Sequence, residues 1–338
     1  MKKISRLLAV FVFTVTLIIT QTGCGGVEKV TKTSYYMDTI CDITIYDMVD
    51  MSEERANEAI DSAFGLCADL EALISATMEG SDVYRVNEAG GKAVACDDAT
   101  INLLKMGKDY GDLSGGRFDI TLGQVTDLWD FHGENPAVPS AAAIEKALAA
   151  VDYRQIRISG NNVSMANPDG KINLGGIGKG FIADRAASRL ESLGVNSAIV
   201  NFGGNIVVIG QNAGNPFKIG IKDPNSESEE ILGAVTVSDA TVVTSGVYER
   251  CFEQDGKTYH HILDVETGYP VDSDVISVTL IAPKGYSGVC DALSTTCLIY
   301  GVEEGMKLIE DAENVEAIFL DRDGKIHKTS GMDYFEER

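Results

Sequence analysis

The stretch INLGGIGKGFIAD (residues 172–184) places four glycines and a lysine between an apolar run and a segment with helical spacing. Glycine-rich turns that open a helix often hold phosphate, because bare backbone N–H groups and the helix N-terminus face the ligand. Two common nucleotide folds fail here on spacing. A G-x-G-x-x-G fingerprint counted from Gly176 and Gly178 meets Phe181 where its third glycine belongs. A P-loop requires Gly-Lys and then Ser or Thr, but Lys179 is followed by Gly180. Two readings stay open: a phosphate loop of another kind, or glycines serving a tight turn and close packing with Lys179 solvated.

The flanking segments decide the fold class. Upstream, TICDITIY (39–46) alternates as a strand, and SEERANEAIDSAFGLCADLEALIS (52–75) carries Ala59, Ile60, Ala63, Phe64, Cys67, Leu70 and Leu73 at helical spacing. Helices are predicted over 98–116 and from Ser140, with short strands around 155–158 and 162–165. Downstream, a helix over 180–193 precedes SAIVNFGGNIVVIG, a strand, a glycine turn and a strand. VNFGG (200–204) repeats the pattern of INLGG (172–176), which reads as two strand ends with backbone close to a common site, or as chance similarity. Residues 217–281 are mostly strand-like, with an Asp-Gly hairpin in EQDGKTY (253–259). A helix over 285–301, the helical run VEEGMKLIEDA and a strand pair around 315–328 complete the chain. Helices and strands mix without strict βαβ alternation, so the expectation is α+β, a single mixed domain and not a Rossmann fold.

The first 23 residues read as a signal peptide: Lys2, Lys3 and Arg6 precede an apolar run from Leu7 to Thr20, too short to span a bilayer comfortably. The run ends in TQTGCGG, where small residues before Cys24 resemble a bacterial lipoprotein cleavage site, with Gln21 where that signal usually has leucine. Cys24 would then carry lipid; ordinary secretion with Cys24 unmodified is the alternative. Either way the expected location is extracytoplasmic. Residues 24–33 read as a tether and 34–338 as the functional domain. The net charge of −23 argues against nucleic acid as a partner, which calls for a basic footprint. It makes a phosphate ligand awkward unless a divalent cation mediates. The seven cysteines form no C-x-x-C pair, so a zinc ribbon or thioredoxin-like site is not expected, and their pairing is open.

Chemistry-bearing patterns gather in the C-terminal half. In DALST (291–295) a helix would place the Asp291 carboxylate and the Thr295 hydroxyl on one face, a donor set suited to a hard cation such as magnesium. Ser294 would lie a turn from Asp291. A helix start with Asp favoured by the dipole explains the same residues without a ligand. HHILDVETGYP (260–270) holds two of the four histidines, and neighbours on a strand face opposite ways. At most one of His260 and His261 therefore points into a given site, as a general base or simply as a packed ring. TSGVYER (244–250) offers Tyr248 to stack and Arg250 to meet phosphate or carboxylate, or an ordinary hairpin. Neither H-E-x-x-H nor G-x-S-x-G occurs.

Taken in order, YYMDT, GGRFDITLGQVTDLWDF (115–131), INLGGIGKGFIAD, VNFGGNI, TSGVYER, HHILDVETGYP and DALSTT resemble the bacterial FAD:protein FMN transferases, the ApbE family. The resemblance spans nearly all of the mature region. It implies an ApbE-type domain in which Asp291, Thr295 and the backbone carbonyl of Gly176 hold magnesium. It implies FAD contacts at Met37, Thr77, Arg117, Phe118, Asp119, Asn173, Lys179, Leu263 and Ser294, and a general base at His261. The chain departs from the family pattern with MDT for the commoner MGT, and with Asn173 and Lys179 where some members have Asp and Glu. The implied reaction is attack by a threonine hydroxyl of an acceptor flavoprotein on FAD, leaving FMN as a phosphoester and releasing AMP. An FAD pyrophosphatase and a non-catalytic flavin-binding lipoprotein are the rival readings. The implied acceptors are membrane redox complexes or secreted flavoproteins, with the lipid on Cys24 as the link to the membrane.

Overall fold

The computed structural model describes residues 29–46, 51–131, 133, 136–226 and 230–338. The expected signal peptide and the expected lipidation site Cys24 lie outside the described residues. The chain opens with a hairpin, β1 (Val30–Tyr36) and β2 (Thr39–Ile45), followed by α1 (Glu53–Ile74) and α2 (Asp82–Glu88). Next come β3 (Val94–Ala95), α3 (Asp98–Leu113), α4 (Gly123–Trp129), α5 (Ala141–Leu148), β4 (Ile156–Ser159), β5 (Asn162–Met165) and α6 (Gly178–Ser192). Strands dominate from there: β6 (Ser197–Phe202), β7 (Asn205–Gly210), β8 (Phe217–Lys222), β9 (Ile231–Val237), β10 (Ala240–Gly246), β11 (Cys251–Gln254), β12 (Lys257–His260) and β13 (Val275–Pro283). The chain closes with α7 (Ser287–Glu310), β14 (Glu316–Asp321), β15 (Ile326–Lys328) and β16 (Phe335–Glu337).

The main sheet has eight strands in the order β1-β2-β6-β7-β10-β13-β14-β15, and each neighbouring pair is antiparallel. An antiparallel sheet needs no crossover helices, so the α+β expectation holds and the doubly wound alternative does not. Helices α1, α6 and α7 cover one face; the small sheet β16-β9-β8 covers the other. Period two shows why the central strands read as unbroken apolar runs. On β10, Val243 packs toward the helices and Val242 toward the small sheet; β13 repeats this with Leu280 and Ile281, and β14 with Phe319 and Ile318. Both faces are core. Helix α1 follows its predicted stripe through Ala59, Ile60, Ala63, Phe64, Cys67 and Leu70, but at its end Ile74 is buried and the predicted Leu73 only half-buried; Ser52 caps the Arg55 N–H.

Several boundaries are corrected. β1 starts at Val30, so residues 30–33 of the expected tether are strand; they alternate between half-buried and exposed and pair in register with β2, Val30 opposite Ile45. α3 ends at Leu113, because Gly115 and Gly116 take positive φ. The two helical runs after Gly285 join as α7 through a kink at Gly301, φ +83°. α2, α4, β1, β3 and β16 have no counterpart among the predicted elements. The described cysteines are free thiols, all buried except Cys251.

Candidate active site

The glycine stretch enters the centre of the molecule along a backbone held by Asn87, whose side-chain amide exchanges two hydrogen bonds with Ile172. Asn173 Oδ1 then accepts the Gly175 N–H at 2.8 Å, and α6 begins at Gly178. Its partner motif is built alike: Asn201 Oδ1 accepts the Gly204 N–H at 3.3 Å, in a two-residue turn with φ +56° at Gly203 and +91° at Gly204. Gly175, Gly176, Gly203 and Gly204 all line one cleft of about 1240 Å³, so the repeated pattern does mark one site. A Cβ on Gly203 would meet Thr39 Oγ1 at 2.2 Å, which explains the requirement for glycine there.

A third turn closes the rim. Tyr36 pairs with Thr39, leaving Met37 (φ +50°) and Asp38 (φ +57°) as a two-residue hairpin turn of the left-handed class. Glycine is favoured in that conformation, which accounts for the commoner MGT; Asp is among the side chains that tolerate it. The turn is pinned on both sides of Met37. Its N–H donates to Glu71 Oε1 at 2.6 Å, and its carbonyl accepts from Arg250 at 3.4 Å.

α7 supplies the anionic corner. Asp291 is 1% exposed, and its Oδ2 accepts the Gly180 N–H at 2.9 Å. Its Oδ1 has only long contacts, 3.5 Å to Lys179 Nζ and 3.5 Å to Asn205 Nδ2. Thr295, one turn on, lines the cleft, and a Cβ at Gly176 would lie 3.9 Å from its Oγ1. Gly176 and Thr295 line the cleft, and the Asp291 carboxylate lies just behind that lining, held against Gly180, Lys179 and Asn205. The donor set fits a hard cation: one carboxylate oxygen, a hydroxyl and loop carbonyls, with the Lys179 ammonium marking a place where positive charge is held. Asn205 Oδ1, buried and without a hydrogen-bond partner, is a further oxygen beside it. Among the described residues no three His, Cys, Asp or Glu side chains converge on one point.

Met37, Thr77, Arg117, Phe118, Asp119, Asn173, Lys179 and Leu263 all line the cleft. Several are already engaged. Lys179 Nζ donates to the Gly175 carbonyl at 3.3 Å besides facing Asp291. Asp119 accepts from the Thr121 N–H and hydroxyl and from the Tyr153 N–H, so its carboxylate shapes the loop. Arg117 lies over the Tyr300 ring at 5.8 Å. Ser294 is the correction. It is fully buried, bonded to Ser245 Oγ at 2.8 Å and to the Asp291 carbonyl at 3.0 Å, and Ser245 lines the cleft in its place.

His261 lines the cleft, whereas His260, 9% exposed, points away toward Val271. Burial first, and then the charges of Arg250 and Lys179, push the His261 imidazole down to about 3, so the ring is neutral at ordinary pH. Sequence reasoning missed Glu249. It is open to the hollow of the cleft yet ringed by its walls, and that partial desolvation holds its carboxyl above the usual range against Lys179 and Arg250. Its only sequence signal is its place between Tyr248 and Arg250, both of which line the cleft.

With this geometry in view, the ApbE family model matches residues 37–319. The chain is 32% identical over 330 residues to the FAD:protein FMN transferase of Treponema pallidum, covering 92% of this chain and 90% of that protein. It is 34% identical over 276 residues to a Klebsiella pneumoniae protein of the same name, covering 80% and 84%. The crystal structure of the ApbE protein from Thermotoga maritima superposes with a TM-score of 0.83 at 31% identity, covering 92% of this chain and 100% of that one. Family model, relatives and fold agree along nearly the whole described chain, which belongs to the ApbE family.

Proposed function

We propose that this chain transfers FMN from FAD to a threonine hydroxyl of an acceptor protein, with magnesium as cofactor and AMP as the leaving product. One observation carries the reading. Thr295 and Gly176 with Asp291 behind them, two glycine turns and the Met37 turn converge on one cleft of about 1240 Å³. That exceeds the ~300–1,000 Å³ of ordinary small-molecule sites, leaving room for a dinucleotide and an incoming side chain. The relatives' shared name, FAD:protein FMN transferase, supports the same reading.

Asp291, Thr295 and the Gly176 carbonyl would hold the magnesium, which neutralises charge on a pyrophosphate when bound. The acceptor oxygen forms a bond to the phosphorus on the riboflavin side, and the bond from that phosphorus to the bridging oxygen breaks. AMP leaves with the electron pair. The hydroxyl proton would pass to the His261 imidazole, which lines the cleft and is neutral, so that it can accept a proton. The glycine turns let backbone approach the substrate closely. The proposed setting is extracytoplasmic, with lipid on Cys24 tethering the domain and a membrane redox complex or secreted flavoprotein as acceptor.

Asp291→Asn tests the assignment. The amide oxygen can still accept the Gly180 N–H, so the fold is kept while the charge is lost. AMP release from FAD with magnesium and acceptor should fall at least about a hundredfold. Unchanged release would refute the metal corner.

A further inference from the structure

The cleft holds a cation for which the metal corner and the general base give no task. Arg250 lines the cleft, and its backbone carbonyl accepts the His261 N–H at 3.0 Å, fixing it at the root of the β11–β12 hairpin. Its guanidinium reaches across to the Met37 carbonyl at 3.4 Å, one long bond for a group with five N–H donors. Among the described residues no carboxylate lies within 4.0 Å of it, in a chain of net charge −23. Lys179, the other cation beside His261, is already turned to Asp291 and Gly175. Arg250 is the second-largest cause of the depressed His261 titration, so its charge is felt inside the cleft. Glu249, next in sequence, interacts with Arg250 only beyond ion-pair distance.

We infer that Arg250 is an anion clamp whose free guanidinium edge takes non-bridging pyrophosphate oxygens, with Met37 holding the opposite edge. A planar fork matched to paired phosphoryl oxygens is what arginine supplies and lysine does not. The Met37 contact holds the fork across the cleft before substrate arrives, so less side-chain freedom is lost on binding. This inference rests on the reading that FAD binds in this cleft.

The test is flavin binding to the full protein in EDTA, so that no cation contributes, with FAD and riboflavin as paired ligands. Arg250→Ala should weaken FAD binding about ten- to a hundredfold and leave riboflavin affinity unchanged, because only FAD carries the phosphoryl groups. Arg250→Lys should recover the charge but only part of the affinity. Equal losses for FAD and riboflavin would overturn the clamp in favour of a strut that merely supports the Met37 turn. Unchanged FAD affinity in Arg250→Ala would overturn it too. Wild-type protein that binds FAD neither in EDTA nor with magnesium would sink the flavin reading itself and the clamp with it.

Discussion

At the residue scale, what reaches the site depends on which way each side chain turns, and the sequence carries that information unevenly. The glycines were legible because a left-handed turn or a close approach excludes other residues, and Gly203 and Gly204 fulfil that role. Ser294 was not legible: Asp291, Ser294 and Thr295 share a broad helical face, and spacing alone cannot say which edge meets the cleft. Their environment decides, sending Thr295 into the cleft and Ser294 against Ser245. Asp38 holds φ +57° where glycine has no steric cost. Asp38→Gly should therefore raise stability by about 0.5–1 kcal/mol, read as a higher urea midpoint. A lower midpoint would show that the Asp38 side chain contributes more than its backbone strain costs.

Elements rather than single residues set the depth of the cleft. α6 and α7 cross so closely that a Cβ on Gly180 would lie 2.2 Å from the Ser287 carbonyl oxygen. Asp184 on α6 accepts the Gly288 N–H at 3.0 Å, capping α7 from its neighbour. Because the obstacle is backbone, Gly180→Ala must push the helices apart and move the N–H that orients Asp291. It should cost about 3 kcal/mol, at the upper end of overpacking, and lower magnesium-dependent AMP release. A variant with wild-type melting temperature and activity would contradict this close crossing. The long helices and central strands were legible from their periods. α2 and α4, seven residues each, are too short to display one, and β16 has only three residues.

For the molecule as a whole, the excess of carboxylates does not by itself fix the response to acid. His260 is nearly buried, and burial pushes its ring from 6.5 down to about 4. The unfolded chain then takes up a proton that the folded one refuses, so stability is complete above pH 6.5 and is lost as pH falls toward 4. His260 alone should remove about 2 kcal/mol between pH 7 and pH 5. Urea unfolding of His260→Gln should show a shallower loss over that interval; an unchanged slope would mean that the ring titrates normally. The cleft itself is assembled from elements far apart in sequence, from the Met37 turn to Thr295, so a linear reading could name its motifs but not their neighbours. The contact of Arg250 with Met37, 213 residues apart, is such a case.

The central claim is transfer to a protein rather than hydrolysis. Incubating this chain with FAD, magnesium and an acceptor domain bearing the target threonine, and then weighing the acceptor by mass spectrometry, tests it most directly. The acceptor should gain the mass of one FMN less water while an equal amount of AMP appears. Free FMN and AMP beside an unmodified acceptor would contradict it.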